Sequence, residues 1–260
     1  MPFLETTAGR LYYTDHRKDD SPFTPTILIH GAGGSRLDWP QQLRRLPEAN
    51  AITVDLPGHG KSDGPGRDRV DDYAQVIIGL LDGLDLREVF VCGHSMGGAI
   101  AQTLALDYSE RISGVILVAT GAKLTVHPDI LNQVIEHQGK VAEVLSQWLW
   151  GDGAPEEMRQ NGYDQLMKLS PEVIYDDYVA CNHFDVRDRL HEITAPTLII
   201  SGTEDKMTFH KYSIYLQEQI THSQLVPIEK GGHMVTLEYP DQVAGAVQGW
   251  IDRHQINEDA

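Results

Sequence analysis

The sequence predicts an α/β protein: a mostly parallel central sheet with flanking helices and a helical segment inserted after the sixth strand. Short apolar runs bounded by glycine, proline and aspartate recur along the chain, and longer helix-patterned segments separate them. Between two of these runs, residues 121–190 keep a helical pattern and offer no convincing strand.

An amino-terminal hairpin comes first, with residues 3–7 and 11–14 flanking the turn Ala8-Gly9-Arg10. Apolar runs follow at 26–30, 51–55, 89–92, 114–119, 197–201 and 224–228, several of them apolar at consecutive positions, as strands buried on both faces are. Helical segments are expected between or after them at 38–46, 70–84, 95–108, 210–220 and 241–254. Within the insertion, helices are expected at 129–150, 155–169 and 171–184. The domain reading is a core of residues 1–120 and 191–260 with a helical cap, 121–190, above the sheet edge.

At 260 residues, 41% hydrophobic and 23% charged, the chain can bury a substantial core and has no disordered or collagen-like character. Its formal net charge of −17 repels phosphate backbones and anionic membranes, which disfavours a nucleic-acid partner. The opening MPFLETTAGR lacks the basic flank and apolar run of a secretion signal. No apolar stretch nears the roughly 18 residues of a membrane span, so a soluble cytoplasmic protein with no integral membrane segment is expected. Cys92 and Cys181 are expected to be free buried thiols.

Residues 91–98 read VCGHSMGG, in which Gly93-His94-Ser95-Met96-Gly97 fits G-x-S-x-G between an expected strand and an expected helix. A strand turning abruptly into a helix strains the serine backbone, lifts its hydroxyl clear of the sheet and aims the free N–H groups of the new helix at negative charge. A serine hydroxyl is a weak nucleophile until a base takes its proton, and that base needs an acid to hold its tautomer. Among twelve histidines, His233 has the best address, in Glu229-Lys230-Gly231-Gly232-His233 after the last apolar run. Asp205, in the polar turn after 197–201, is the expected acid, with Glu204 the runner-up. Attack on a carbonyl puts charge on oxygen and requires waiting N–H donors: Met96 is one candidate, and the other lies in His30-Gly31-Ala32-Gly33-Gly34, Ala32 before Gly33.

HGAGG, the turn Asp55-Leu56-Pro57-Gly58-His59-Gly60-Lys61-Ser62, GHSMGG, GTED and GGH occur in one order over nearly the full length, and that order resembles the α/β-hydrolase fold. The resemblance implies a serine hydrolase with a helical cap, similar to small carboxylesterases, monoacylglycerol lipases and enol-lactonases. HGAG with GHSMGG is most similar to the first two groups. It implies a carboxylic ester hydrolase working through an acyl-enzyme, with Ser95, Asp205 and His233 as catalytic triad and Ala32 and Met96 as oxyanion hole. The substrate is expected to be a small to medium acyl or aryl ester. Serine at 95 speaks against haloalkane dehalogenase or epoxide hydrolase activity, which use aspartate there.

Other readings compete. The same triad serves lactonases and C–C bond hydrolases, and a receptor-like hydrolase fold would bind a small molecule with little turnover. Residues 27–34 also imitate a dinucleotide-binding turn, with Asp55 as the ribose acid, but Arg36 stands where G-x-G-x-x-G needs its third glycine. Without HExxH, C-x-x-C or a histidine pair at ligand spacing, no metal and no cofactor are expected. Trp148, Leu149, Trp150, Leu166, Met167, Tyr175, Tyr178 and Phe184 could line an acyl or aryl pocket, though most are expected to serve as packing.

Overall fold

The structure is a computed structural model that describes residues 3–6, 9–18 and 21–255. Its centre is an eight-stranded sheet in the order β1-β2-β4-β3-β5-β6-β7-β8. These strands are Phe3–Thr6, Gly9–Asp15, Thr26–Ile29, Ala51–Val54, Val89–His94, Ile112–Val118, Thr197–Gly202 and Ser223–Ile228, numbered in chain order. Strands β3 to β8 are mutually parallel, while β1 and β2 add an antiparallel edge.

Alternation along the central strands divides the core into two layers. Ile27, Ile29, Ile52, Val54, Val91 and Leu117 point to one face, where the helices α2 (Val70–Gly83) and α3 (Met96–Asp107) pack. Leu28, Phe90, Cys92, Ile116, Leu198 and Ile200 point to the other, against Trp39 and the carboxyl-terminal helix α10 (Pro240–His254). Trp250 of α10 meets Phe90 edge-on at 5.3 Å between ring centroids. A strand covered on both faces needs apolar residues at every position, which is why the runs show no polar alternation.

Two expected elements take a different form. The helix expected at 38–46 is a short 3₁₀ turn, Arg36–Asp38, then α1 (Gln41–Arg44). Pro40 causes the split, because it forces the preceding Trp39 out of the helical region, to φ −96 and ψ 105. The turn at 8–10 shifts as well: β2 already begins at Gly9 and pairs with Thr6, while Thr7 and Ala8 lie outside the described residues.

Between β6 and β7 the chain forms α4 (Pro128–Gln133), α5 (Gln138–Trp148), α6 (Glu156–Leu166) and α7 (Pro171–His183). Proline opens α4 and α7 at the position where its missing N–H costs nothing, and the Ser170 hydroxyl caps α7 at Val173 N. The single helix expected over 129–150 breaks at 134–137. No glycine or proline lies within those four residues; the Gln138 side chain donates to the carbonyls of Leu166, the last residue of α6, and of Leu169 just after it, a tertiary tie absent from local pattern. At the base, Lys123 bridges Asp185 and Val186 N donates to Ala122 O, closing the insertion onto the sheet. The remaining helices are α8 (His210–Gln219) and the short α9 (Val235–Glu238), which sequence pattern does not reveal.

Candidate active site

Strand β5 passes into α3 through Ser95 alone, at φ 54 and ψ −117. A non-glycine residue there stores roughly 1–3 kcal/mol of strain and persists only where its surroundings fix it. Ser95 N donates to Val118 O at 2.9 Å, and Ser95 O accepts from Thr120 Oγ1 at 2.8 Å and from Gly98 N at 2.9 Å. The neighbouring glycines serve close approach: a Cβ on Gly93 would stand 2.0 Å from Gly97 O, and one on Gly97 2.1 Å from Ile29 O.

Asp205 follows β7 and His233 follows β8, and their loops touch where a Cβ on Gly202 would fall 2.2 Å from Gly231 O. Asp205 Oδ2 accepts from His233 Nδ1 at 2.9 Å and from Thr208 Oγ1 at 2.7 Å, while Oδ1 accepts from Met207 N and Thr208 N, both at 2.8 Å. A carboxylate only accepts, so His233 carries a proton on Nδ1, which leaves Nε2 as the ring nitrogen not engaged by Asp205. Burial alone would raise the Asp205 carboxyl, but the His233 imidazole and the hydrogen bonds from His233 and Thr208 hold it below its ordinary value. The runner-up, Glu204, is turned elsewhere and accepts from Asp152 N at 2.8 Å. His94 donates from Nε2 to His233 O at 2.9 Å, and its ring packs 4.8 Å from the His233 ring. Burial and the nearby His233 push the His94 value down to about 3, so this ring is a neutral brace.

The chain after β3 turns tightly, with Gly34 N donating to Gly31 O at 3.1 Å and Gly33 at φ +66, a conformation suited to glycine. Gly33 N donates to Asp177 Oδ2 at 2.8 Å, so the second choice for an oxyanion donor is already committed. Ala32 and Met96 N–H groups, by contrast, have no protein acceptor among the described residues. A Cβ on Gly31 would sit 3.0 Å from Ser95 Cβ, which places this turn directly over the serine.

From α7, Asp177 reaches into the core with its side chain fully buried. Besides Gly33 N it accepts from His59 Nε2 at 2.8 Å and from the Tyr73 hydroxyl at 2.5 Å. From α6, Gln165 donates to Ser35 Oγ and Asp38 Oδ1 of the same turn region. Burial pushes the Asp38 carboxyl up to about 7. Sequence reasoning missed Asp177, Asp38 and Gln165; His59 stood inside a quoted motif but was given no role.

Ser95, His94, His233 and Ala32 border one cavity of about 850 Å³. No hydrogen bond joins Ser95 Oγ to His233 in this arrangement. Of the insertion residues singled out earlier, Trp148, Leu149 and Tyr178 line the cavity, joined by Phe209, Tyr212 and Tyr215 from the α8 side. Trp150, Leu166 and Phe184 are buried in packing, whereas Met167 and Tyr175 are exposed. Asp55 cannot serve a ribose: it is fully buried, paired with Arg36 at 2.8 Å and hydrogen-bonded to Lys61 N. Among the described residues no cluster of three or more His, Cys, Asp or Glu is placed to hold a metal ion, and no helix is long and apolar enough to cross a membrane.

A sequence profile of the alpha/beta hydrolase family matches residues 26–246. The chain belongs to the alpha/beta hydrolase family. This alpha/beta hydrolase is 30% identical over 240 residues to 3-oxoadipate enol-lactonase 2 of Acinetobacter baylyi, covering 88% of this chain and 89% of the relative. It is 28% identical to the pimeloyl-[acyl-carrier protein] methyl ester esterase of Pectobacterium carotovorum, covering 84% and 90%. Among solved structures, a thermophilic esterase from Thermogutta terrifontis superposes with a TM-score of 0.86 at 26% identity, over 97% of this chain and 98% of that one. The protein is accordingly a hydrolase, and its relatives include proteins named for lactone and for ester substrates.

Proposed function

We propose that this alpha/beta hydrolase cleaves carboxylic esters through an acyl-enzyme, with Ser95 as nucleophile, His233 as base and Asp205 as its orienting acid. The observation that carries this reading is the His233–Asp205 hydrogen bond at 2.9 Å beside a cavity that both His233 and Ser95 border. His233 Nε2 takes the Ser95 proton as the oxygen attacks the ester carbonyl, and Asp205 stabilises the imidazolium. The uncommitted N–H groups of Ala32 and Met96 receive the negative charge on the carbonyl oxygen. When the tetrahedral intermediate collapses, His233 returns the proton to the leaving alcohol. Water then gives a proton to His233 as it attacks the acyl-serine carbonyl; on collapse the acyl–Oγ bond breaks, His233 returns that proton to Ser95 Oγ and the acid leaves.

Residues 121–190 act in this reading as a cap over a core of 1–120 and 191–260, and the aromatic walls favour a small to medium acyl or aryl group. Identity of 30% with an enol-lactonase supports a second reading, a cyclic ester as substrate, in which the leaving alcohol stays tethered to the acyl group. Two buried free thiols, Cys92 and Cys181, support a reducing, cytoplasmic setting. Hydrolysis of p-nitrophenyl esters of graded chain length, alongside lactones and monoacylglycerols, tests the assignment. Ser95→Ala should abolish turnover and covalent labelling by a fluorophosphonate; unchanged turnover would exclude Ser95.

A further inference from the structure

The buried group that the proposed chemistry leaves unused is the Asp177–His59 pair. His59 Nδ1 lies 3.0 Å from Pro57 O and Nε2 2.8 Å from Asp177 Oδ2. Both partners are acceptor atoms, and a neutral imidazole has a single N–H. A proton must therefore occupy each ring nitrogen, or the second must be shared with Asp177. Both Asp177 oxygens already accept, Oδ2 from Gly33 N and Oδ1 from the Tyr73 hydroxyl, which places the second proton on the ring and makes it an imidazolium. The surroundings agree: burial alone would lower His59, but Asp177 outweighs it and the ring is held above its ordinary value.

The other groups facing this ring are accounted for. His30, 4.9 Å away between ring centroids, is neutral, because its Nε2 accepts from Leu56 N while Nδ1 donates to Gly31 O. Asp55 is paired with Arg36. Asp38 is engaged by Ser35 N and Gln165. One carboxylate from α7 thus ties an imidazolium of the 55–62 turn, the Tyr73 hydroxyl of α2 and the peptide immediately after Ala32.

We infer that Asp177 is a positioning residue: by holding Gly33 N–H against the His59 imidazolium, it fixes the orientation of the Ala32 N–H and makes turnover depend on the seating of α7. The inference rests on the proposed ester hydrolysis for its kinetic half only. Asp177 touches no substrate in this role, since its oxygens are occupied by protein donors. Its effect belongs to the transition state, where the oxyanion forms, so it falls on kcat and leaves KM. At alkaline pH the second ring proton is lost and one of the two acceptors at His59 loses its donor, but Gly33 N–H keeps its acceptor on Asp177, so kcat declines only modestly.

The test uses the full chain. Asp177→Ala, confirmed folded by its melting curve, should lower kcat for p-nitrophenyl acetate by about tenfold or more with KM within about twofold, less than the loss from deleting an oxyanion donor outright. Asp177→Asn keeps an oxygen for Gly33 N–H and should recover kcat to within about threefold. Nitrogen-15 spectra of histidine-labelled protein should show one imidazolium persisting above the ordinary histidine value of about 6.5, lost in Asp177→Asn. A folded Asp177→Ala with kcat within about twofold of wild type, equal losses in the alanine and asparagine variants, or a neutral His59 at that pH would each overturn the inference. If Asp177→Ala does not fold, the asparagine variant and the spectra decide. If wild-type protein turns over no ester or lactone, the proposed function fails, while the spectra still show whether the His59–Asp177 link exists.

Discussion

Asp205→Asn isolates the tautomer argument with almost no change of shape. Oδ1 accepts from Met207 N and Thr208 N, both at 2.8 Å, so the amide oxygen of asparagine must take that side. The amide nitrogen is then forced toward Thr208 Oγ1 and His233 Nδ1, the partners of Oδ2 at 2.7 and 2.9 Å. It donates to His233 Nδ1, which drives the ring proton onto Nε2, and a protonated Nε2 cannot accept from Ser95. The comparable change in another serine hydrolase costs about 10⁴ in kcat, equivalent to about 5 kcal/mol of transition-state stabilisation. Thr208 can rotate its hydroxyl to accept from the amide, so the stability loss should stay near one hydrogen bond, about 1 kcal/mol. Stopped-flow turnover of a p-nitrophenyl ester and nitrogen-15 spectra of His233 measure both halves. A variant with kcat within about tenfold of wild type, or with the proton still on Nδ1, refutes the reasoning.

Gly97→Ala should destabilise the fold by about 3 kcal/mol in urea melts, because its Cβ would meet backbone at 2.1 Å (Ile29 O) and 2.6 Å (His30 O), neither of which can swing away. Gly79→Ala, in α2 with nothing within 4 Å of the added carbon, should do the opposite. It should gain about 0.5–1 kcal/mol through reduced backbone freedom in the unfolded chain. Acid sensitivity should come from His30 and His94, each lowered to about 3 by burial. With an unfolded value of about 6.5 the unfolded chain binds their protons first, so stability falls as pH drops from about 6.5 toward 3, by up to about 1.4 kcal/mol per pH unit for each. Asp38, raised to about 7, works in the reverse sense: its contribution is full below an unfolded value of about 3.9 and is lost as pH rises through about 7. Urea melts at pH 7 and pH 5 should therefore show a steeper acid decline in Asp38→Asn than in wild type.

Local pattern alone was enough to locate the parallel strands, α2, α3 and α8, and the turn at Ser95, because each is written in contiguous residues: an apolar run, a helical period, glycines around a serine. Asp205 and His233 were legible for the same reason, each standing just past a recognisable strand, and the structure joins them by a hydrogen bond. The break at 134–137 was not, because its tie runs from Gln138 to carbonyls at Leu166 and Leu169. Asp177 was less legible still. In the chain it is one of two adjacent aspartates on an amphipathic helix, and the neighbouring Asp176 is partly exposed while Asp177 is fully buried.

The order and chemistry of the segments, and hence the family and the candidate nucleophile, base and acid, were decided by the sequence itself. Short-range stereochemistry writes strands and helices into contiguous residues and marks the serine turn by its flanking glycines, while Val118 O and Thr120 Oγ1, more than twenty residues away in the chain, hold that turn in its strained form. Tertiary structure alone decided which groups are spent and which are free. Gly33 N–H is consumed by a carboxylate from α7 while Ala32 N–H has no acceptor among the described residues, and an aspartate on a helix is buried against a histidine far away in the chain. Hydrogen-bond satisfaction is a property of spatial neighbours, and a buried donor takes whichever acceptor the packing brings to it.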